Sequence, residues 1–157
     1  MAVVLAISTL LLMGGTQLST RWVSGTQTHE AQTKLAWGYE QAKALALRNP
    51  CGVHGTEDAA ATLLARNVDG VVQLQLLAGD TNHTPDTCAF LQHRPNPQWQ
   101  SALPRGVVLH INAQVLSADE HAQRMKLDSR SLPLQQQTYH YRLSKGKTST
   151  DEIGTLQ

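Results

Sequence analysis

The side chains best able to ligate a metal or move a proton gather at Asp80, His83, Asp86 and His93. Two imidazoles and two carboxylates form a zinc-type donor set, but specific sites show short fixed spacings, such as two histidines one helical turn apart. None occurs among these four, so they read as a solvated loop and no metal is expected. Lys145-Gly146-Lys147-Thr148 has the ending of a phosphate-binding loop, whose backbone wraps phosphates only when another glycine stands five residues earlier. Tyr141 occupies that place and no helical pattern follows. No Gly-x-Ser-x-Gly elbow is present, so the sequence points to no catalytic residue and no cofactor. Asn82-His83-Thr84 fits a glycosylation acceptor, which has meaning only in a eukaryotic secretory route. Trp99, between Gln98 and Gln100, is either an exposed contact residue or a cap on the core.

The elements that would position these residues begin after Pro50. Residues 56–67 carry an N-cap candidate, Thr56, two acids in a first turn and an alanine-rich continuation, which predicts a short helix. Asp69-Gly70 is a turn signal, and 71–76 alternates with period two, as a half-buried strand does. Residues 88–92 are a second strand candidate. In 107–116, Val107, Leu109, Ile111, Ala113 and Val115 share one face of a third, and 138–143 is a fourth with Tyr139, Tyr141 and Leu143 together. Ser117 and Glu120 are spaced as a capping box.

The N-terminal part differs. No ionisable side chain precedes Arg21, and 2–13 is almost wholly apolar. Thirteen helical residues cover only about 20 Å of a bilayer core about 30 Å thick. The tract therefore reads as part of a longer apolar helix whose start lies upstream, as the core of a secretory signal, or as a buried helix. Ala31, Leu35, Tyr39, Ala42 and Leu45 or Ala46 then recur at helical spacing, with Glu30 and Lys34 as an i,i+4 pair. Pro50 ends that helix near Asn49. Ser24 and Gln27 are spaced to cap a new helix, so the sequence allows either a break near 24–28 or one rod.

The expected organisation is a membrane-type apolar helix over 1–20, an amphipathic helix over 21–49, an α+β head over 50–144 with a short helix and an antiparallel sheet, and a polar, flexible tail over 145–157. A chain of 157 residues has room for one such head. Its 41% hydrophobic residues suffice for a core, which argues against a disordered chain. The formal net charge of +1 does not indicate nucleic-acid binding, and polarity is supplied instead by 15 Gln and 15 Thr. Cys51 and Cys88 would pair if the apolar start takes the head across a membrane into an oxidising compartment; in a reducing one they would be buried thiols.

An apolar helix that continues as an amphipathic one, followed by a small α+β head with a disulfide, resembles the plan of type IV pilins and type II secretion pseudopilins. The resemblance rests on that plan, on the apolar tract 3–13 and on Lys34-Leu35-Ala36-Trp37-Gly38, which is similar to the corresponding helix of a short minor pilin of Gram-negative bacteria. The usual basic leader and Phe-Thr-Leu-Ile-Glu start are absent, and no Glu precedes Glu30, as in some tip subunits of the family. The resemblance implies a structural minor subunit that initiates or caps a type IV pilus or type II secretion pseudopilus. Val3, Val4, Leu5, Ile7, Leu10, Leu11 and Leu12 would hold it in the inner membrane and then pack against other subunits, with Leu35, Tyr39, Ala42 and Leu45 facing the head. The head would lie in the periplasm before assembly and on the fibre afterwards. The alternative is a membrane-anchored or exported periplasmic binding domain without fibre assembly; neither reading calls for an enzyme or a small-molecule substrate.

Overall fold

The computed structural model describes residues 2–55, 58–84, 86–116, 122–134, 138–145 and 151–157, and for residues 2–22 and 24 the backbone alone. One helix, α1 (Ala2–Arg48), runs without interruption through 24–28, so the capping-box spacing of Ser24 and Gln27 does not start a second helix. Thr26 and Thr28 instead turn their hydroxyls back onto the carbonyls of Val23 and Gly25. α1 ends where Asn49 takes a positive φ of 41° ahead of Pro50. The Asn49 side chain then bonds both the amide and the carbonyl of Val53, which fixes the exit of the chain.

Two four-stranded antiparallel sheets follow. The first is built from β1 (Ala61–Val68), β2 (Val71–Ala78), β3 (Trp99–Ala102) and β6 (Gln123–Leu127), in the order β3-β2-β1-β6. The second contains β4 (Val107–Ile111), β5 (Gln114–Val115), β7 (Tyr139–Lys145) and β8 (Glu152–Leu156), in the order β5-β4-β7-β8. A one-turn helix, α2 (Phe90–His93), lies in the connection between β2 and β3. The second half of α1 packs on β1 and β2 of one sheet and on β7 and β8 of the other, so a single core joins both sheets to the helix. The α+β class expected from the sequence is the class observed.

Several elements differ from expectation for physical reasons. The segment expected as a helix over 56–67 contains β1, and the turn after it explains why. Asp69 and Gly70 both have positive φ, 51° and 75°, and Val68 pairs with Val71, which is a two-residue hairpin loop. A strand must therefore precede the turn as well as follow it. β1 is central, paired on both sides by β2 and β6, and its small residues Ala61 and Ala65 are fully buried. Strand 107–116 is in fact a hairpin: β4 ends at Ile111, and Asn112 and Ala113 turn with φ of 50° and 65° into the short β5. Asn112 is held there by β7, since the His140 amide donates to its side chain and its own amide donates to the His140 carbonyl. Residues 88–92 form no strand; successive turn bonds to Thr84, Cys88 and Ala89 wind them into α2. The tail is not loose at its end, because β8 pairs with β7 from Tyr139–Leu156 to Leu143–Glu152. Gly154 fits beneath the Tyr141 ring there, and any Cβ at that position would collide with it. The capping-box residues 117–120 lie outside the described residues.

Candidate functional site

α1 presents its head-facing stripe as the sequence spacing arranges it. Leu35 and Ala42 are fully buried, Tyr39 nearly so, and Leu45 lies at the end of the stripe. Polar bonds fasten the same helix to both sheets: Lys34 donates to the Ala102 carbonyl at 3.0 Å while pairing with Glu30, and Gln32 donates to the Tyr141 hydroxyl. Tyr39 meets Tyr139 edge to face at 6.4 Å. Burial pushes both phenols above their ordinary pKa, and for Tyr39 the neighbouring Tyr139 and Glu40 add to the shift.

Cys51, three residues past α1, is joined by a disulfide to Cys88, two residues before α2. The pair expected only for an oxidising compartment is therefore present as a bridge that ties the helix end to the loop beyond β2. Around it lies a groove of about 290 Å³. One wall is the last two turns of α1, with Gln41, Leu45 and Arg48; the other is α2 and the segment after it, with Phe90, Arg94 and Gln98. Leu76 and Trp99 form the floor. Arg94 stacks over Phe90, 5.8 Å from the ring centroid.

Trp99 proves to cap the core while keeping one edge in solvent. It packs on the core and makes an edge-to-face contact at 5.2 Å with Trp37, which is 51% exposed. The close approach of its ring to α1 requires Gly38: a Cβ there would lie 2.8 Å from one indole carbon. This aromatic pair was not legible beforehand, because Trp99 reaches α1 only once β3 has paired with β2.

The polar set 80–93 is drawn only partly together. Asp80 pairs with Lys126 of β6 at 2.8 Å, and its own amide donates to Nδ1 of His83. Burial raises the Asp80 carboxyl, but hydrogen bonds from Lys126 and Thr81 and the charge of Lys126 outweigh it and hold the group below the ordinary range. The arrangement closes the loop after Gly79, whose positive φ brings its backbone against the His83 ring. Asp86 and His93 are exposed, and among the described residues no group of three or more metal-ligating side chains is formed. Most of the phosphate-loop-like sequence, Gly146-Lys147-Thr148, lies outside the described residues, as do the side chains of Val3, Val4, Leu5, Ile7, Leu10, Leu11 and Leu12. Among the residues that are described, no helix is long and apolar enough to cross a membrane. Compared with protein-family models, curated proteins and solved structures, the chain matches none of them.

Proposed function

We propose that this chain is a structural subunit of a helix-cored fibre, a minor pilin or pseudopilin that initiates or caps a type IV pilus or type II secretion pseudopilus. The observation that carries the reading is the unbroken helix Ala2–Arg48, apolar at its start and buried against the head along its second half. At 1.5 Å per residue, residue 2 lies about 30 Å along the helix from Val23, comparable to a bilayer core. A tract of this kind keeps its apolar surface covered in both settings, by lipid before assembly and by neighbouring helices afterwards. The disulfide suits a head on the periplasmic side of the inner membrane.

The test is fractionation of the bacterium that makes the protein, comparing wild type with Leu10→Lys and Leu11→Lys. A lysine at the centre of an apolar helix costs about 3 kcal/mol on insertion scales. The expected result is wild-type protein in the inner membrane and in sheared fibres, with both variants lost from each. Unchanged fractionation of the variants would contradict any role for the tract. The groove between α1 and α2 favours a second reading, an anchored binding domain without a fibre, which would show membrane retention but no fibre fraction.

A further inference from the structure

The groove beside the disulfide contains two guanidinium groups and no acid. Neither Arg48 nor Arg94 forms an ion pair among the described residues, and no Asp or Glu lines the cavity. Arg48 lies in the last turn of α1, where its charge also suits the negative end of the helix. That does not account for Arg94, which follows α2 and is exposed. The face of the Arg94 guanidinium is taken up by the Phe90 ring, which leaves its N–H edge for a planar anion. Between the two arginines the surface is apolar, formed by Leu45, Leu76, Phe90 and Trp99, and half-exposed Trp37 extends it along α1. Tryptophan and arginine around an apolar depression are the residues that dominate protein-protein contacts.

We propose that this groove is a docking site for an extended segment of a partner protein carrying a carboxylate side chain next to an apolar one. The apolar side chain occupies the floor over Leu76 and Trp99, and the carboxylate meets Arg94 and Arg48. A volume of about 290 Å³ accepts a pair of side chains and not a large cofactor. Nucleic acid is the poorer occupant, because phosphate binding draws on a broad basic surface and this chain carries a net charge of only +1. The disulfide makes the site a preformed one. Cys51 follows the α1 wall and Cys88 precedes the α2 wall, so the bridge fixes their separation before any ligand arrives and lowers the ordering cost of binding. The site does not depend on the fibre reading, since a subunit and an anchored binding domain would both use it.

The test is a titration of the full-length ¹⁵N-labelled chain in detergent micelles with the blocked peptide acetyl-Gly-Phe-Glu-Leu-Asp-Gly-amide. The indole N–H signals of Trp37, Trp99 and Trp22 are followed, with the Gln/Asn version of the peptide as control. The expected result is a saturable shift of the Trp99 signal at about 1 mM peptide or below, with Trp22 unmoved and the neutral peptide about tenfold weaker. Arg94→Gln and Arg48→Gln should each weaken binding about fivefold or more, and the double variant should abolish it. Equal binding of the neutral peptide, retention of affinity in the double variant, or no saturable shift would overturn the proposal. So would tighter binding of an oligodeoxythymidylate, or a Trp99 shift that follows protein concentration without peptide, since these point to nucleic acid or a second copy.

Discussion

Replacing Gly38 by alanine sets two effects of opposite sign against each other at one atom. Glycine in a helix interior costs about 1 kcal/mol relative to alanine, so propensity alone predicts a gain. The new Cβ, however, would lie 2.8 and 3.0 Å from two carbons of the Trp99 ring, where about 3.5–4 Å is needed. The rigid ring would have to retreat by nearly 1 Å, away from Trp37 and from its seat on the core. Overpacking costs about 1–3 kcal/mol and the aromatic pair is worth about 1 kcal/mol, so the expected net effect is a loss of about 1–2 kcal/mol. Gly25 is the internal control, because it lies in the same helix with nothing within 4 Å of its would-be Cβ. Urea denaturation followed by circular dichroism should place Gly38→Ala below wild type and Gly25→Ala at or above it. In a Trp99→Ala background the clash is gone, and Gly38→Ala should then become stabilising. A stabilising Gly38→Ala in the wild-type background, or no coupling to Trp99 in the double-mutant cycle, would refute the reasoning.

Other consequences are equally open to measurement. The Cys51→Ser/Cys88→Ser variant should lose about 4 kcal/mol, the chain-entropy value for a bridge between residues 37 apart, and alkylation without reductant should leave the wild-type mass unchanged. Ala113→Gly should raise stability by about 1 kcal/mol, because Ala113 sits at φ 65° where a side chain is strained; a drop in urea midpoint would count against the assigned turn. Hydrogen bonds and cationic partners hold the Asp80 and Asp128 carboxyls below the ordinary range despite burial, so their contribution is complete above about pH 4 and disappears as pH falls through the folded-state values. The urea midpoint should therefore fall in acid, and less steeply for Asp80→Asn/Asp128→Asn; parallel profiles would contradict the assignment. Tyr39 and Tyr139 are shifted the other way, so stability should be lost as pH rises above about 10, with Tyr39→Phe reducing the loss.

What could be read from the sequence was whatever rests on local periodicity. Leu35, Tyr39 and Ala42 stand three or four residues apart and form one buried stripe, and Tyr139, Tyr141 and Leu143 alternate and are buried together. β1 was misleading because alanine favours a helix locally, whereas the sheet supplies hydrogen bonds on both sides and needs small residues next to α1. The Asp69-Gly70 turn carried the correcting signal, since a two-residue hairpin loop requires strands on both sides. β6 gave little warning: only Met125 and Leu127 mark its inner face, between Arg124 and Lys126, and its pairing partner lies some 60 residues earlier in the chain. The groove was invisible for the same reason. Arg48, Phe90 and Trp99 belong to separate segments, and only the disulfide and the β2–β3 pairing bring them to one place.

The central claim is that the apolar start of α1 leaves lipid to pack against the helices of other subunits. It is tested most directly by placing a photo-crosslinking amino acid at Leu11 and irradiating sheared fibres from the producing bacterium. The account predicts an adduct of this chain with the N-terminal helix of another pilin-like subunit, present in the fibre fraction and absent when Leu10→Lys is introduced. Photo-adducts confined to lipid in the membrane fraction, with none of the chain in fibres, would contradict it.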